Sequence, residues 1–330
     1  MDNKLKLENL YKRLFVKLEK VDIKYSFISI KHLIDIKNEI DKLYAKGMFD
    51  ECFFEERMQY FDYNIPSELP EGQTIIITAI KQPKLKVSFQ LNGRKYNTIV
   101  PPTYSYLTDN MAFNVISNII RSDNYKLIGA NLPAKLLSVC GGLTKYGKNN
   151  ITYIPLWGSF FRLRIFISDL PCILDHWQEF ETMEECKHCK ACLIKCPTHA
   201  LVQDRFLIHA ERCMTFMNEK SDNFPNWIKS EWNNALIGCM ICQDICPLNK
   251  RNKNWIEEGE NFFEEETNML LYGVKKEKLP LKTQRKLKRL YLYDDYKVLK
   301  RNLQALIDIQ NENCITSGQL SALKLKAECL

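Results

Sequence analysis

The chain contains no run of eighteen apolar residues, so the sequence offers no candidate for a membrane-spanning helix. Its first residues, Met1 to Arg13, set Lys4, Lys6 and Lys12 among Leu5, Leu7 and Leu10. That pattern lacks the unbroken apolar core of a secretory signal, and a cytoplasmic protein is the expectation. Neither an internal repeat nor an extended polar or low-complexity stretch is present, which excludes solenoids and long disordered tails. With 330 residues, 45% hydrophobic and 26% charged, the chain is long enough for a sizeable core and for two or three packed units.

Cysteine is not scarce: there are thirteen. In a reducing compartment they do not make a disulfide framework, which leaves metal as their common use. Cys186, Cys189, Cys192 and Cys196 followed by Pro197 form a C-x2-C-x2-C-x3-C-P run. Three thiolates so spaced wrap one face of an iron–sulfur cubane, and the fourth is carried to a neighbouring cluster. A second run, Cys239, Cys242, Cys246 and Pro247, is one thiolate short, and the solitary Cys213 can supply it. Exchange of the fourth ligands predicts one 4Fe-4S cluster on Cys186, Cys189, Cys192 and Cys246 and another on Cys196, Cys213, Cys239 and Cys242. Zinc is the rival, although its sites use two well-separated pairs rather than a triple run ending in C-P. Cys52, Cys140, Cys172, Cys314 and Cys329 share no such spacing and read as ordinary thiols.

Leucines at positions 7, 10, 14 and 18 recur at helical spacing, as do Ile36, Ile40 and Leu43 before Gly47, and these two helices bracket the apolar run Tyr25 to Ile30. Residues 74–80 read as a strand, and 86–91 and 95–100 as a hairpin about Asn92-Gly93. Helices are expected over 110–121 and from Pro133 to Gly141-Gly142, and a strand over 162–168. An α+β fold follows: a mixed α/β domain over 1–175, a ferredoxin-like double-cluster domain over 176–255, and an amphipathic helical tail over 256–330 carrying Leu287, Leu290, Leu299, Leu303 and Leu306. Between Lys275 and Arg301 eleven basic residues face three acids, beside six glutamates in 257–266. The pattern reads first as a solvated helix face beside an acidic loop, and second as a nucleic-acid contact.

The stretch Gly141-Gly142-Leu143-Thr144-Lys145-Tyr146-Gly147-Lys148-Asn149-Asn150 links a helix to Ile151–Ile154. It can hold an anionic or amide-rich cofactor through backbone N–H groups, or simply cap a helix. Together with SFFRLRIFISDLP, CKHCKACLIKCPTHAL, AERC and GCMICQDICP, it resembles the epoxyqueuosine reductase family and its relatives with a double 4Fe-4S domain.

The resemblance covers roughly residues 130–250. It implies an N-terminal α/β domain holding cobalamin, two clusters that reduce it, reduced flavodoxin or ferredoxin as electron donor, and a tRNA-borne substrate in queuosine modification. It also implies that Gly147, Lys148 and Asn149 line the cofactor and substrate cavity, with Arg162, Ser168 and Asp169 in the strand that follows. The D-x-H-x-x-G signature of His-ligated cobalamin is absent. Where tRNA-modifying members carry a proton-donating aspartate, this chain reads Ile128-Gly129-Ala130-Asn131-Leu132-Pro133, with no acid. Tyr104 and Tyr146 are the substitute candidates. A ferredoxin-like electron-transfer module serving a partner enzyme is the alternative function.

Overall fold

The computed structural model describes residues 2–104 and 108–327, the side chains of residues 2, 109 and 313–327 excepted. Its strands, in chain order, are β1 (Ile23–Ser29), β2 (Thr74–Lys81), β3 (Lys84–Leu91), β4 (Arg94–Val100), β5 (Leu127–Gly129), β6 (Lys145–Tyr146), β7 (Thr152–Tyr153), β8 (Phe161–Ser168) and β9 (Ile256–Phe262). The expected mixture of helices and strands is borne out. Among the described residues no helix is long and apolar enough to cross a membrane.

The chain packs as two compact units that interleave in sequence. One comprises Met1–Pro83, Tyr106–Glu211 and Cys242–Asn254; the other comprises Lys84–Ser105, Arg212–Ile241 and Trp255–Leu330. The β3–β4 hairpin packs with the carboxy-terminal segment in the second unit. The cause is strand pairing, because β3 lies parallel to β9, with Lys84 opposite Ile256.

In the first unit β1-β2-β8-β5 form an antiparallel sheet. β2 is buried at every position but its last, the mark of a strand covered on both faces. Ile76, Ile80 and Phe166 meet Leu10, Leu14 and Leu18 of the helix Asp2–Lys20 and Ile116 and Ile120 of the helix Asp109–Ile120. Their sheet neighbours Ile75, Ile77, Ile165 and Ile167 point the other way, onto Ile36 and Ile40 of His32–Ala45 and Leu136, Leu137 and Val139 of Ala134–Cys140. The alternation is the two-residue period of a strand, and each buried isoleucine contributes about 1.5–3 kcal/mol.

The helix Ala134–Cys140 opens after Pro133 and stops at Gly141, and Gly142 adopts φ +71° to turn the chain. β6 and β7 follow as a short hairpin closed by Gly147 N–H on the Ile151 carbonyl (2.8 Å) and Asn150 N–H on the Gly147 carbonyl (2.9 Å).

In the second unit β4-β3-β9 form the sheet, with Asn92 and Gly93 at φ +51° and +71° in the hairpin turn. The five leucines of the expected helical tail are all buried with it, Leu287 from the helix Leu281–Arg289, Leu290 just after it, and Leu299, Leu303 and Leu306 from the helix Tyr296–Ala327. The expectation of an acidic loop over 257–266 is corrected: this stretch is the strand β9 followed by the first turn of the helix Glu264–Tyr272. Acids are favourable at a helix N-terminus, and Glu266 accepts a hydrogen bond there from Phe263 N–H at 3.0 Å. The basic face is not wholly solvated either, since Lys286 is 4% exposed and paired with Glu266.

Candidate metal centre

The cysteine runs contain little regular structure, and their shape comes from short turns and prolines. Gln178 N–H donates to the Cys140 carbonyl (2.8 Å), Tyr146 N–H to that of Glu181 (3.1 Å) and Met183 N–H to that of Tyr146 (2.8 Å). The segment leading into the first run is thereby fastened along the 140–146 loop. Cys186 ends the turn Glu184–Cys186, and its sulfur lies 3.5 Å from the backbone N–H of Lys148. Cys192 sits in the helix Ala191–Lys195, which stops at Cys196 as that residue becomes extended (ψ 113°) before Pro197. Cys246 repeats the device, with φ −66° and ψ 125° before Pro247.

Within the first unit the structure brings Cys186, Cys189, Cys192 and Cys246 together from the two runs. Burial, and then the neighbouring thiols of Cys186, Cys189 and Cys246, push the Cys192 thiol up to about 11. Burial also raises the Cys186 thiol, against the opposing pull of the Lys148 N–H, and Cys246 and Cys189 add to the rise. Half-buried thiols in this spacing, with the ionisation of Cys186 and Cys192 hindered, suit a compensating cation, and a cationic iron core meets that need, so the donor set fits a cubane. All described cysteines are free of disulfides. Among the described residues no three His, Cys, Asp or Glu side chains converge closely enough for one ion. Thiols gripping separate corners of a cubane stand farther apart than thiols on one zinc.

Of the second set, Cys196 and Cys242 lie in the first unit, and Cys213 and Cys239 in the second. Cys213 immediately precedes the helix Met214–Glu219, and the sulfur of Cys239 accepts a hydrogen bond from Asn234 Nδ2 at 3.2 Å.

The remaining cysteines have local partners. Cys140 is buried and its thiol is pushed up to about 12 by burial and then by Glu39. Cys172 Sγ donates to the Leu174 carbonyl and Cys52 Sγ to Glu56, each at 3.1 Å. The side chain of Cys314, and Cys329 altogether, lie outside the described residues.

Gly147 and Asn149 are buried, and Lys148 is half-buried. Asn149 is 4% exposed and both ends of its amide are engaged inside the loop, Nδ2 with Tyr153 Oη (2.8 Å) and Oδ1 with Ile151 N–H (3.3 Å). Asn150 Nδ2 is a buried donor without a partner, while Lys135 Nζ approaches the Asn150 carbonyl at 3.0 Å. Ser168 donates to the Lys126 carbonyl (2.7 Å) and Asp169 accepts from Lys126 N–H (2.8 Å), so both shape the turn after β8. Arg162 sits in β8 opposite Ile80.

The two tyrosine candidates differ in surroundings. Tyr146 is 5% exposed, with its ring edge-on to Phe206 (5.3 Å), and burial holds its hydroxyl protonated. Tyr104, in the second unit, donates to Glu219, and burial, then that carboxylate, raise its hydroxyl well above the ordinary value. A Cβ at Gly238, which has φ +70°, would stand 2.9 Å from the Tyr104 ring.

Two features escape sequence reasoning. Tyr153, the partner of Asn149, has no motif, only its place in the short stretch Ile151–Ile154. His32 is stacked on Trp177 (4.2 Å, 4°) between Asp35 (2.6 Å) and Asp175 (3.1 Å). A lone histidine gives no sign that it pairs with residues so distant in sequence.

The sequence pattern of the 4Fe-4S double cluster binding domain matches residues 185–249. The resemblance to epoxyqueuosine reductases is likewise borne out. That of Cyclobacterium marinum is 37% identical over 123 residues, which are 37% of this chain and 38% of the relative. That of Leadbetterella byssophila is 34% identical over 167 residues, 50% of this chain and 52% of the relative. The chain thus aligns with about half, or less, of the length of these curated relatives. In fold it resembles the epoxyqueuosine reductase of Bacillus subtilis (TM-score 0.62, 19% identity, 91% of this chain and 82% of that one). It also resembles an epoxyqueuosine reductase solved with an epoxyqueuosine-modified tRNA-Tyr stem loop (TM-score 0.62, 18% identity, 91% and 81%).

Proposed function

We propose that the protein is an iron–sulfur oxidoreductase of the epoxyqueuosine reductase type. In this reading two 4Fe-4S clusters pass electrons singly to cobalamin for a reductive step on a tRNA-borne substrate. The observation that carries it is the pair of cysteine runs ending in Cys196-Pro197 and Cys246-Pro247, which fall inside the double-cluster match over residues 185–249. Cys196, Cys213, Cys239 and Cys242 form the second set, a reading supported by their C-P spacing and by the double-cluster match.

The loop Gly147-Lys148-Asn149 is the proposed seat of cobalamin, a cofactor whose rim carries amide groups. The unpartnered Asn150 Nδ2 fits such a rim, and Lys135 beside it adds a cation. Asn149, with both amide atoms engaged, holds the loop in shape from behind. Bound there, cobalamin would supply low-potential two-electron chemistry. Reduced flavodoxin or ferredoxin is the proposed donor, and the basic residues of 275–301 other than Lys286 are the proposed tRNA contact.

The Bacillus subtilis relative was solved with an aspartate-bearing catalytic loop swung out of its active site. Here the stretch 128–133 has no acid, and Asn131 Nδ2 instead donates to the Tyr60 carbonyl (3.0 Å). Tyr104, whose hydroxyl donates to Glu219, and Tyr146, enclosed in apolar core, are the two proposed tyrosine donors. The same lack of an acid supports the second reading, an electron-transfer module serving a partner enzyme.

Anaerobic reconstitution followed by iron and cobalamin analysis is the test. Eight irons with retained cobalamin support the reductase, eight irons without it leave the module, and an iron-free protein refutes both.

A further inference from the structure

The turn from Ile154 to Gly158, in the first unit, sets a leucine where leucine is rarely found. Ile154 and Gly158 exchange two backbone hydrogen bonds, each 3.0 Å long, and between them Leu156 adopts φ +68°. That left-handed region suits glycine or asparagine, because a Cβ crowds the carbonyl that follows it. Packing does not account for the residue, since Leu156 is 76% exposed while Trp157 beside it is 5% exposed. An exposed leucine is ordinary, but one held out in water by a strained backbone is a sign of use.

Cations surround it. Asn252 Nδ2 donates to the Leu156 carbonyl at 3.2 Å and to that of Trp157 at 2.9 Å, which fastens the turn after Pro247 against this one. Arg251 and Lys253 flank Asn252, Lys250 precedes them, and all three are exposed. Among the described residues none of the three has an ion-pair partner. On the sheet side, Lys81 Nζ stands 4.7 Å and Lys24 Nζ 5.8 Å from the Trp157 ring, and Lys81 is also paired with Asp22 at 2.9 Å. Phe161, at this end of β8, lies opposite Lys81, whereas Phe166, toward the other end, lies opposite Gly129 of the stretch 128–133.

We propose that this surface docks the acidic one-electron carrier that reduces the protein, with Leu156 as its apolar centre and Lys250, Arg251 and Lys253 as its cationic rim. The inference rests on the reading above, in which flavodoxin or ferredoxin reduces the clusters, and adds where that donor binds. The place is close in sequence to Cys246 and remote along β8 from the stretch 128–133. A small apolar centre ringed by charge suits a transient redox contact, because opposite charges speed the encounter and little buried area lets the carrier leave. A nucleic acid would also seek the cations, but an aliphatic side chain gives its bases no ring to stack on. One electron passes per encounter, the carrier being oxidised and the cluster reduced.

The test is stopped-flow reduction of the anaerobically reconstituted full-length chain by reduced flavodoxin and, in a second series, by reduced ferredoxin, read from the loss of visible cluster absorbance. Dithionite is the control reductant. The triple variant Lys250→Glu, Arg251→Glu, Lys253→Glu is expected to lower the second-order rate about tenfold at low salt and to flatten its dependence on ionic strength. Leu156→Gly, which relieves the backbone, is expected to slow the same reaction about fivefold, as for a leucine partly buried on docking, while its thermal stability holds. Iron content and the rate with dithionite are expected to match wild type in both. An unchanged carrier rate in the triple variant at full iron content overturns the docking surface, and loss of tRNA stem-loop binding by that variant then gives the patch to nucleic acid. A wild-type chain that takes up iron and accepts electrons from dithionite but from neither carrier overturns the donor reading beneath it.

Discussion

Asn249 and Ser159, ninety residues apart in sequence, are joined in the first unit by a buried amide clamp. Asn249 Oδ1 accepts from Ser159 N–H at 2.8 Å, while Nδ2 donates to Ser159 Oγ (2.9 Å) and to the Gln243 carbonyl (2.8 Å). No side chain fits at Gly158, where a Cβ would lie 2.1 Å from that oxygen. The clamp ties the segment carrying Cys242 and Cys246 to the chain just before β8.

Asn249→Ala is therefore expected to cost about 1–3 kcal/mol, because it leaves the buried Ser159 N–H without its acceptor and removes one of the hydrogen bonds to the Gln243 carbonyl. The same variant should release iron faster than wild type. Urea unfolding of the apo-protein and the rate of iron loss to a chelator measure the two effects.

Replacing one ligand of each proposed set separates the clusters. Cys192→Ser and Cys213→Ser are each expected to lower iron from about eight to about four per chain, whereas Cys52→Ser leaves it unchanged. Iron assay and visible absorbance of the reconstituted protein decide the matter.

The pair Glu266–Lys286 makes the second unit sensitive to acid. Burial acts to raise the Glu266 carboxyl, but hydrogen bonds from Lys286, Phe263 N–H and Thr283 outweigh it and hold the group below its ordinary 4.5. A depressed folded value adds stability above the ordinary pKa, and this is lost as pH falls below about 4.5 toward the folded value. Lys286→Met should remove that dependence and cost about 3–5 kcal/mol, since it strands a buried carboxylate. The double variant with Glu266→Gln should recover part of the loss. Thermal unfolding between pH 3 and 7 checks both statements.

Gly238→Ala is expected to destabilise the second unit by about 1–2 kcal/mol, from the left-handed backbone alone. It should also displace the Tyr104 ring, which the absent Cβ admits. Near-ultraviolet circular dichroism reports the displacement, and urea unfolding the cost.

Local signals in the sequence predict local structure well. Asn92-Gly93 marks the hairpin, the leucine spacing marks the first helix, and the C-P runs group the thiols, because each pattern lies within a dozen residues. What is hidden depends on partners far along the chain. β9 reads Ile-Glu-Glu-Gly-Glu-Asn-Phe, with four exposed residues out of seven, and resembles a solvated loop because it is an edge strand guarded by charge. The hairpin's place in a sheet of its own follows from that pairing and from nothing within residues 84–100.

The parallel union of β3 with β9 also bears on how the molecule is made. A nascent chain that has emerged only as far as residue 250 holds a finished hairpin whose outer rim still lacks its neighbour. Until translation delivers the acidic strand, that rim is free to adhere to other half-made copies. Slow passage of the ribosome through this interval should favour clumping, and a holding chaperone during it should raise the yield of intact protein.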